Sequence, residues 1–215
     1  MKKIFGLLLI SIILVSCCAA PLRYNFPTKS PLDEERKIII NKSKDEVWDK
    51  LLEGLADKFF SVNNIEKDSG FINVSFHSND ACKYVDCGSY NVSISGRKKD
   101  IPICNCSVEK HGAYYSGVWK FRDCSTSVEG RINILVQEVS ENQSTMFVDT
   151  RFIVKNSSNL WSAWDGSTMY KQAVIVFDSD TKGSDRGIHC VSTGVLEKDV
   201  MDVIASLVAP SEVHL

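Results

Sequence analysis

A chain of 215 residues with 44% hydrophobic side chains can build a real core and suits one domain or two small ones, which excludes a disordered chain. Its 25 basic and 27 acidic side chains give a formal net charge of −2 with no basic stripe, which excludes a general nucleic-acid binder. There is no internal repeat and no low-complexity segment.

Lys2 and Lys3 precede an apolar run from Ile4 to Val15, broken by Gly6 and Ser11, and Ser16, Cys17, Cys18, Ala19 and Ala20 follow. A charged n-region, an apolar h-region and small residues in this order form a secretory signal peptide. The run is shorter than the ~20 apolar residues a spanning helix needs, and no other stretch approaches that length. Leu14-Val15-Ser16-Cys17 resembles the lipobox of bacterial lipoproteins. The resemblance implies that residues 1–16 are removed, that the Cys17 thiol carries diacylglycerol and that the new amine is acylated; no other cofactor is expected. Two or more such chains hold a protein stably on a bilayer, where one holds it marginally. In that family an aspartate after the lipidated cysteine often marks the inner membrane. Cys18 stands there instead, which favours the outer membrane, with the domain periplasmic or surface-exposed. The alternative is a secreted protein cut after Ala20. Asn41, Asn73, Asn91, Asn105, Asn142 and Asn156 each open an N-x-S/T triplet and would be glycan acceptors in a eukaryotic host.

Residues 17–36 read as a lipidated N-terminus and flexible tether, carrying Pro21, Pro27 and Pro31. Residues 37–210 read as one globular domain and 211–215 as a tail. Ile38-Ile39-Ile40 is a β-branched run and predicts a strand. Ser43 with Glu46 is a capping box, and Trp48, Leu51, Leu52, Leu55 and Phe59 at helical spacing predict a helix over 44–58. Phe60 to Lys67 and Phe71 to His77 predict a hairpin turning at Asp68-Ser69-Gly70. Tyr90, Val92 and Ile94 mark another strand, and residues 96–112 a disulfide-pinned loop. Val128 to Val139 and Thr145 to Lys155 predict long alternating strands joined at Glu141-Asn142-Gln143. A loop over 156–170, a strand over Ala173 to Phe177, a polar loop from Asp178 to Gly187 and a strand over Ile188 to Thr193 follow. Leu196, Val200, Val203, Ile204 and Leu207 then mark an amphipathic C-terminal helix. The expected class is α+β: an antiparallel sheet packed against an N-terminal and a C-terminal helix.

The stretch from Ile38 to Phe76, with its capped helix, Phe60-Ser61-Val62 and Ile65-Glu66-Lys67-Asp68-Ser69-Gly70-Phe71-Ile72, resembles the helix-grip units of the accessory lipoprotein of the outer-membrane barrel-assembly machinery. That resemblance implies a sheet gripping a helix and a domain that works by contacting other proteins.

Cys82, Cys87, Cys104, Cys106, Cys124 and Cys190 form an even set in an exported chain and read as up to three disulfides, of undetermined pairing. Cys82 and Cys87 could close a small loop, and Cys190 is expected to tie the last strand to the middle of the fold. A metal site on His77, Cys82 and Cys87 lacks the paired spacing of structural zinc, so no metal is expected. Cys104 and Cys106, near Arg97, Lys98 and Lys99, are either a structural disulfide or a redox pair. His77, His111 and His189 fit no catalytic pattern, and no nucleophile elbow, zinc helix or nucleotide glycine motif occurs, so no catalytic residue is assigned. Trp161, Trp164 and Tyr170 are the candidate partner contact, because exposed aromatics are enriched in binding hot spots; the competing reading folds the rings back over the sheet edge. The expected function is a membrane-anchored, non-catalytic interaction module that docks other envelope proteins and binds no nucleic acid. A carrier or sensor with an apolar ligand between sheet and helix, or a thiol-redox enzyme, is the alternative.

Overall fold

Alternation of apolar and polar side chains continues well beyond the segments it predicts, and two strands of 22 and 20 residues result. The computed structural model describes residues 23–28, 36–56, 60–94, 97–105, 114–115, 119–162 and 164–208. The leader, Cys17, Cys18, Cys106, His111 and the tail lie outside the described residues. The elements are β1 (Arg23–Asn25), β2 (Lys37–Ile40), α1 (Lys44–Ala56), β3 (Ser61–Glu66), β4 (Phe71–Ser78), α2 (Ala81–Tyr84), β5 (Val85–Asp86) and β6 (Ser89–Ile94). They continue with β7 (Arg97–Pro102), a 3-10 turn (Ile103–Asn105), β8 (Tyr114–Tyr115), β9 (Trp119–Ser140), β10 (Gln143–Ser162), β11 (Thr168–Asp178), β12 (Lys182–Asp185), β13 (Ile188–Ser192) and α3 (Val195–Val208).

The chain is mostly antiparallel sheet with few helices, so it is mainly β where the sequence reading expects an α+β fold with the sheet packed against an N-terminal and a C-terminal helix. The main sheet runs β11-β10-β9-β4-β3. β2 and β11 share one edge of β10, pairing at 144–147 and 151–161 respectively. Between them Arg36 O accepts from Val148 N at 2.8 Å, and Ser179 N donates to Thr150 O at 2.9 Å. Arg36 also ion-pairs with Asp149 at 2.7 Å and Asp180 at 3.0 Å, which seals the junction. Two smaller sheets, β1-β6-β7 and β12-β13-β5, complete the fold.

One face of the main sheet is buried. Ile72 and Val74, Ile132 and Ile134, and Val148 and Phe152 point into it and are inaccessible to solvent. Burying such side chains stabilises by roughly 1.5–3 kcal/mol each relative to leaving them in water. α1 starts on the expected cap, Glu46 N donating to Ser43 Oγ at 3.3 Å, and sinks Val47, Trp48, Leu51 and Leu55 into the same core. α3 packs against α1 and β10 and adds Leu196 and Val200. Gly130 lets α3 approach: a Cβ there would lie 2.8 Å from Leu196 Cδ2. Gly70, at φ +74°, ends the β3–β4 hairpin as expected and presses on β9, where a Cβ would meet Val136 O at 2.0 Å.

Several expectations are corrected. Residues 23–25, placed in the flexible tether, form β1 and pair with β6. Tyr24 Oη donates toward Cys87 O (3.1 Å) and His189 O (3.2 Å) and accepts from His189 N at 3.0 Å. This latch is local to three distant segments, so no pattern near Tyr24 announces it. The loops expected over 96–112 and 178–187 contain β7 and β12. Cys82 and Cys87 do not bond one another, and neither do Cys104 and Cys106. Cys82 pairs with Cys104 and Cys87 with Cys190, joining α2 to the 3-10 turn and β13 to the link between β5 and β6. Cys124 is also disulfide-bonded. Neighbours in sequence lose to partners that the sheets bring face to face.

The two bridges differ in reach, closing 103 and 22 residues of chain. In the chain-entropy account such loops are worth about 4.7 and about 3 kcal/mol. Urea unfolding of the Cys87→Ala/Cys190→Ala variant is expected to show the larger loss, by roughly 1 kcal/mol, than Cys82→Ala/Cys104→Ala. Equal or reversed losses would contradict this ranking.

Candidate functional site

The stretch 156–170 is not the loop that its Asn-Ser-Ser-Asn composition suggests. β10 runs through it to Ser162 and β11 begins at Thr168. The inward Asn156 is accommodated because it finds a partner. Asn156 Nδ2 donates to Thr126 Oγ1, and Thr126 Oγ1 donates to Ile103 O, both at 2.8 Å. A buried amide thus loses no hydrogen bond. Asn156 is also too enclosed to accept a glycan, which removes one of the six triplets from that reading.

This extension lifts the candidate aromatics to the end of a long hairpin. Trp161 pairs across from Thr168, and Tyr170 lies opposite Asn159, so both rings project from the outer face of the sheet. Trp164 is 88% exposed, Tyr170 60% and Trp161 36%. Trp164 therefore does not fold back over the sheet edge. The turn beneath it is tied down. Ser162 N donates to Ser167 O at 2.8 Å, and Gly166 N donates to Ser162 O at 3.1 Å. Ser162 Oγ accepts from Trp164 N at 3.3 Å, and Asp165 Oδ1 accepts from Ser167 N (3.0 Å) and Ser167 Oγ (2.7 Å). The Ser167 hydroxyl, joined by the Ser162 hydroxyl and the Ser167 amide, lowers the Asp165 carboxyl from 3.8 to about 2. A loop held in one shape presents its tip with little ordering cost left for association.

Below the tip, β11 continues the surface with residues the sequence reading missed. Val174 and Val176 are exposed on the same face as Tyr170, with Ile153 beside Val176. Tyr170 to Val176 spans roughly 20 Å of strand. The alternation of 170, 172, 174 and 176 is visible in sequence, but a compact apolar run reads as a fully buried strand. The strand's free edge is blunted where Asp185 Oδ2 accepts from Val174 N at 2.9 Å.

The remaining candidates are dispersed. His77 lies exposed on β4, and His189 sits half-buried with its ring 6.1 Å from Tyr24 and 5.0 Å from Phe26. Among the described residues no group of His, Cys, Asp and Glu could hold a metal ion. Cys104 is 7% exposed and bonded to Cys82 rather than poised beside Cys106. The chain matches no family model, no curated protein and no solved structure.

Because its folded value is depressed, the Asp165 carboxylate contributes fully above the ordinary range near 3.8 and loses its contribution as pH falls through about 2. The carboxyl carbon of Asp165 is expected to titrate near about 2 by NMR, with the Ser167 amide following it. Ser167→Ala should raise that midpoint toward 3.8. A wild-type midpoint near 3.8 would show that the turn is not tied as described.

Proposed function

We propose that the chain is an exported lipoprotein, anchored through lipid on Cys17, whose domain is a non-catalytic protein-interaction module. Its docking surface is the hairpin tip with Trp161, Trp164 and Tyr170, continued by Val174 and Val176. The observation that carries the reading is Trp164, 88% exposed on a turn held by its own hydrogen bonds. An indole in water on a rigid support is costly to leave exposed and suits a partner's pocket, as interface hot spots are enriched in Trp and Tyr. The leader and the Ser16-Cys17-Cys18 sequence support lipid attachment and favour the outer membrane, with the partners being other envelope proteins. Among the described residues no helix is long and apolar enough to cross a membrane. Attachment through acyl chains requires none.

Packing of α1 and α3 against each other and the sheet supports a helix-grip-like arrangement. The carrier reading draws less support, because Leu196 fills the space over Gly130 where α3 meets the sheet. The thiol-redox reading draws less, because Cys104 is buried in a bond with Cys82.

Two measurements test the proposal. The mature N-terminal peptide from the native host is expected to begin at Cys17 and carry diacylglycerol; an unmodified N-terminus at Pro21 would remove the anchor. A photo-crosslinking residue at position 164 in intact cells is expected to give one discrete protein adduct, abolished by Trp161→Ala and absent when the probe sits at Lys50 on α1. Trp164→Ala should shift stability by no more than about 0.5 kcal/mol, as surface substitutions do. A folded protein giving no adduct at 164, or the same adduct at both positions, would refute the docking surface.

A further inference from the structure

The outer face of the main sheet is not uniform. Away from the aromatic tip, β3, β4 and β9 form an open, mainly polar groove of about 650 Å³ whose lining includes Asn63, Asn73, Ser75, His77, Glu129 and Arg131, with Phe76 its one aromatic ring beside His77. Its amides are chained in one direction. Ser75 Oγ donates to Asn63 Oδ1 at 3.2 Å, Asn63 Nδ2 to Asn73 Oδ1 at 2.8 Å, and Asn73 Nδ2 to Asn133 Oδ1 at 2.6 Å. The chain fixes these side chains along the groove and leaves each with further donor or acceptor capacity.

Charge in the groove is unbalanced at one place. Glu129 is held by Lys155, which keeps the carboxyl below its ordinary range, helped by His77 and Arg131. Arg131 itself has no carboxylate within ion-pairing distance among the described residues. Directly opposite on β10 stands a second guanidinium, Arg151, whose contact with Asp178 is long at 3.7 Å. Like charges facing each other across an antiparallel pair are destabilising. Two guanidiniums on adjacent strands, both exposed, form a fork for an oxyanion, which each can hold by paired N–H bonds. The rest of the lining suits hydroxyl groups, because most of it is polar and its amides and Ser75 exchange hydrogen bonds.

We propose that this groove binds an acidic oligosaccharide, its carboxylate or phosphate gripped by Arg131 and Arg151 and its hydroxyls hydrogen-bonded by Asn63, Asn73, Ser75 and His77. The site is independent of the aromatic tip, which it meets only at the row His77, Glu129, Ile153 and Val176.

The test is calorimetric titration of the purified domain with a hyaluronan tetrasaccharide, trigalacturonate and glucose 6-phosphate, with neutral maltotetraose and inorganic phosphate as references. At least one acidic sugar is expected to bind tenfold or more tightly than maltotetraose and than phosphate. Arg131→Gln should weaken it at least tenfold, and Lys198→Gln, removing the same charge from α3, less than twofold. Asn63→Ala should weaken the sugar severalfold while leaving phosphate unchanged. A thermal midpoint for Arg131→Gln at or above that of the unsubstituted domain, as relief of the Arg131–Arg151 repulsion requires, shows that the variant is folded. No binding at millimolar concentration, equal losses in Arg131→Gln and Lys198→Gln, or phosphate binding as tight as the sugar would each overturn the proposal.

Discussion

The registered ladder between β9 and β10 decides which side chains meet the core along most of the main sheet. Successive residues on a strand face opposite ways, so a slip of one residue would bring Ile132, Ile134, Val148 and Phe152 into water and Arg131, Asn133 and Asp149 into the interior. Both errors are expensive: apolar burial is lost and charges are buried unpaired. The two-residue turn at Glu141-Asn142 sets the register at one end. Irregularities beside Gln143 and Asn159 absorb extra residues without disturbing the alternation between them, and bulges of this kind also increase local twist.

With the register set, one face must be covered and the other need not be. α1 and α3 cover the first, and their fit depends on small residues where backbones come close, as at Gly130 under Leu196. The peripheral sheets are tied in by covalent and hydrogen-bonded links. Cys87–Cys190 joins β13 to the link between β5 and β6, Cys82–Cys104 pins the 3-10 turn to α2, and Tyr24 hydrogen-bonds both Cys87 and His189 across the first bridge. The N-terminal segment is thereby paired into the fold from Arg23 to Asn25.

The uncovered face is where the molecule has surface to spare, and it divides by chemistry. Toward β11 it is aromatic and aliphatic; toward β3 it is amide, hydroxyl and guanidinium. A protein partner gains from desolvating the first, and a hydroxylated anion from replacing the second's water.

Sequence alone determined the features that are local in the chain. These are the Ser43 cap and the helix it starts, the Gly70 hairpin and the alternation at the centres of β9 and β10, since each depends on residues within a few positions of one another. Trp161, Trp164 and Tyr170 were also legible as candidates, because aromatic rings among Asn, Ser and Gly stand out from their neighbours. The tertiary structure decided the rest. Asn156 reads as loop until Thr126, itself bonded to the 3-10 turn, supplies the partner that lets its polar side chain sit inside a strand. Val174 and Val176 read as core until the helices are found on the opposite face. Cysteine pairing and the juxtaposition of Arg131 with Arg151 depend on segments that meet only when the sheets assemble. Periodicity reports which side of an element is apolar; it does not report which other element, if any, arrives to cover it.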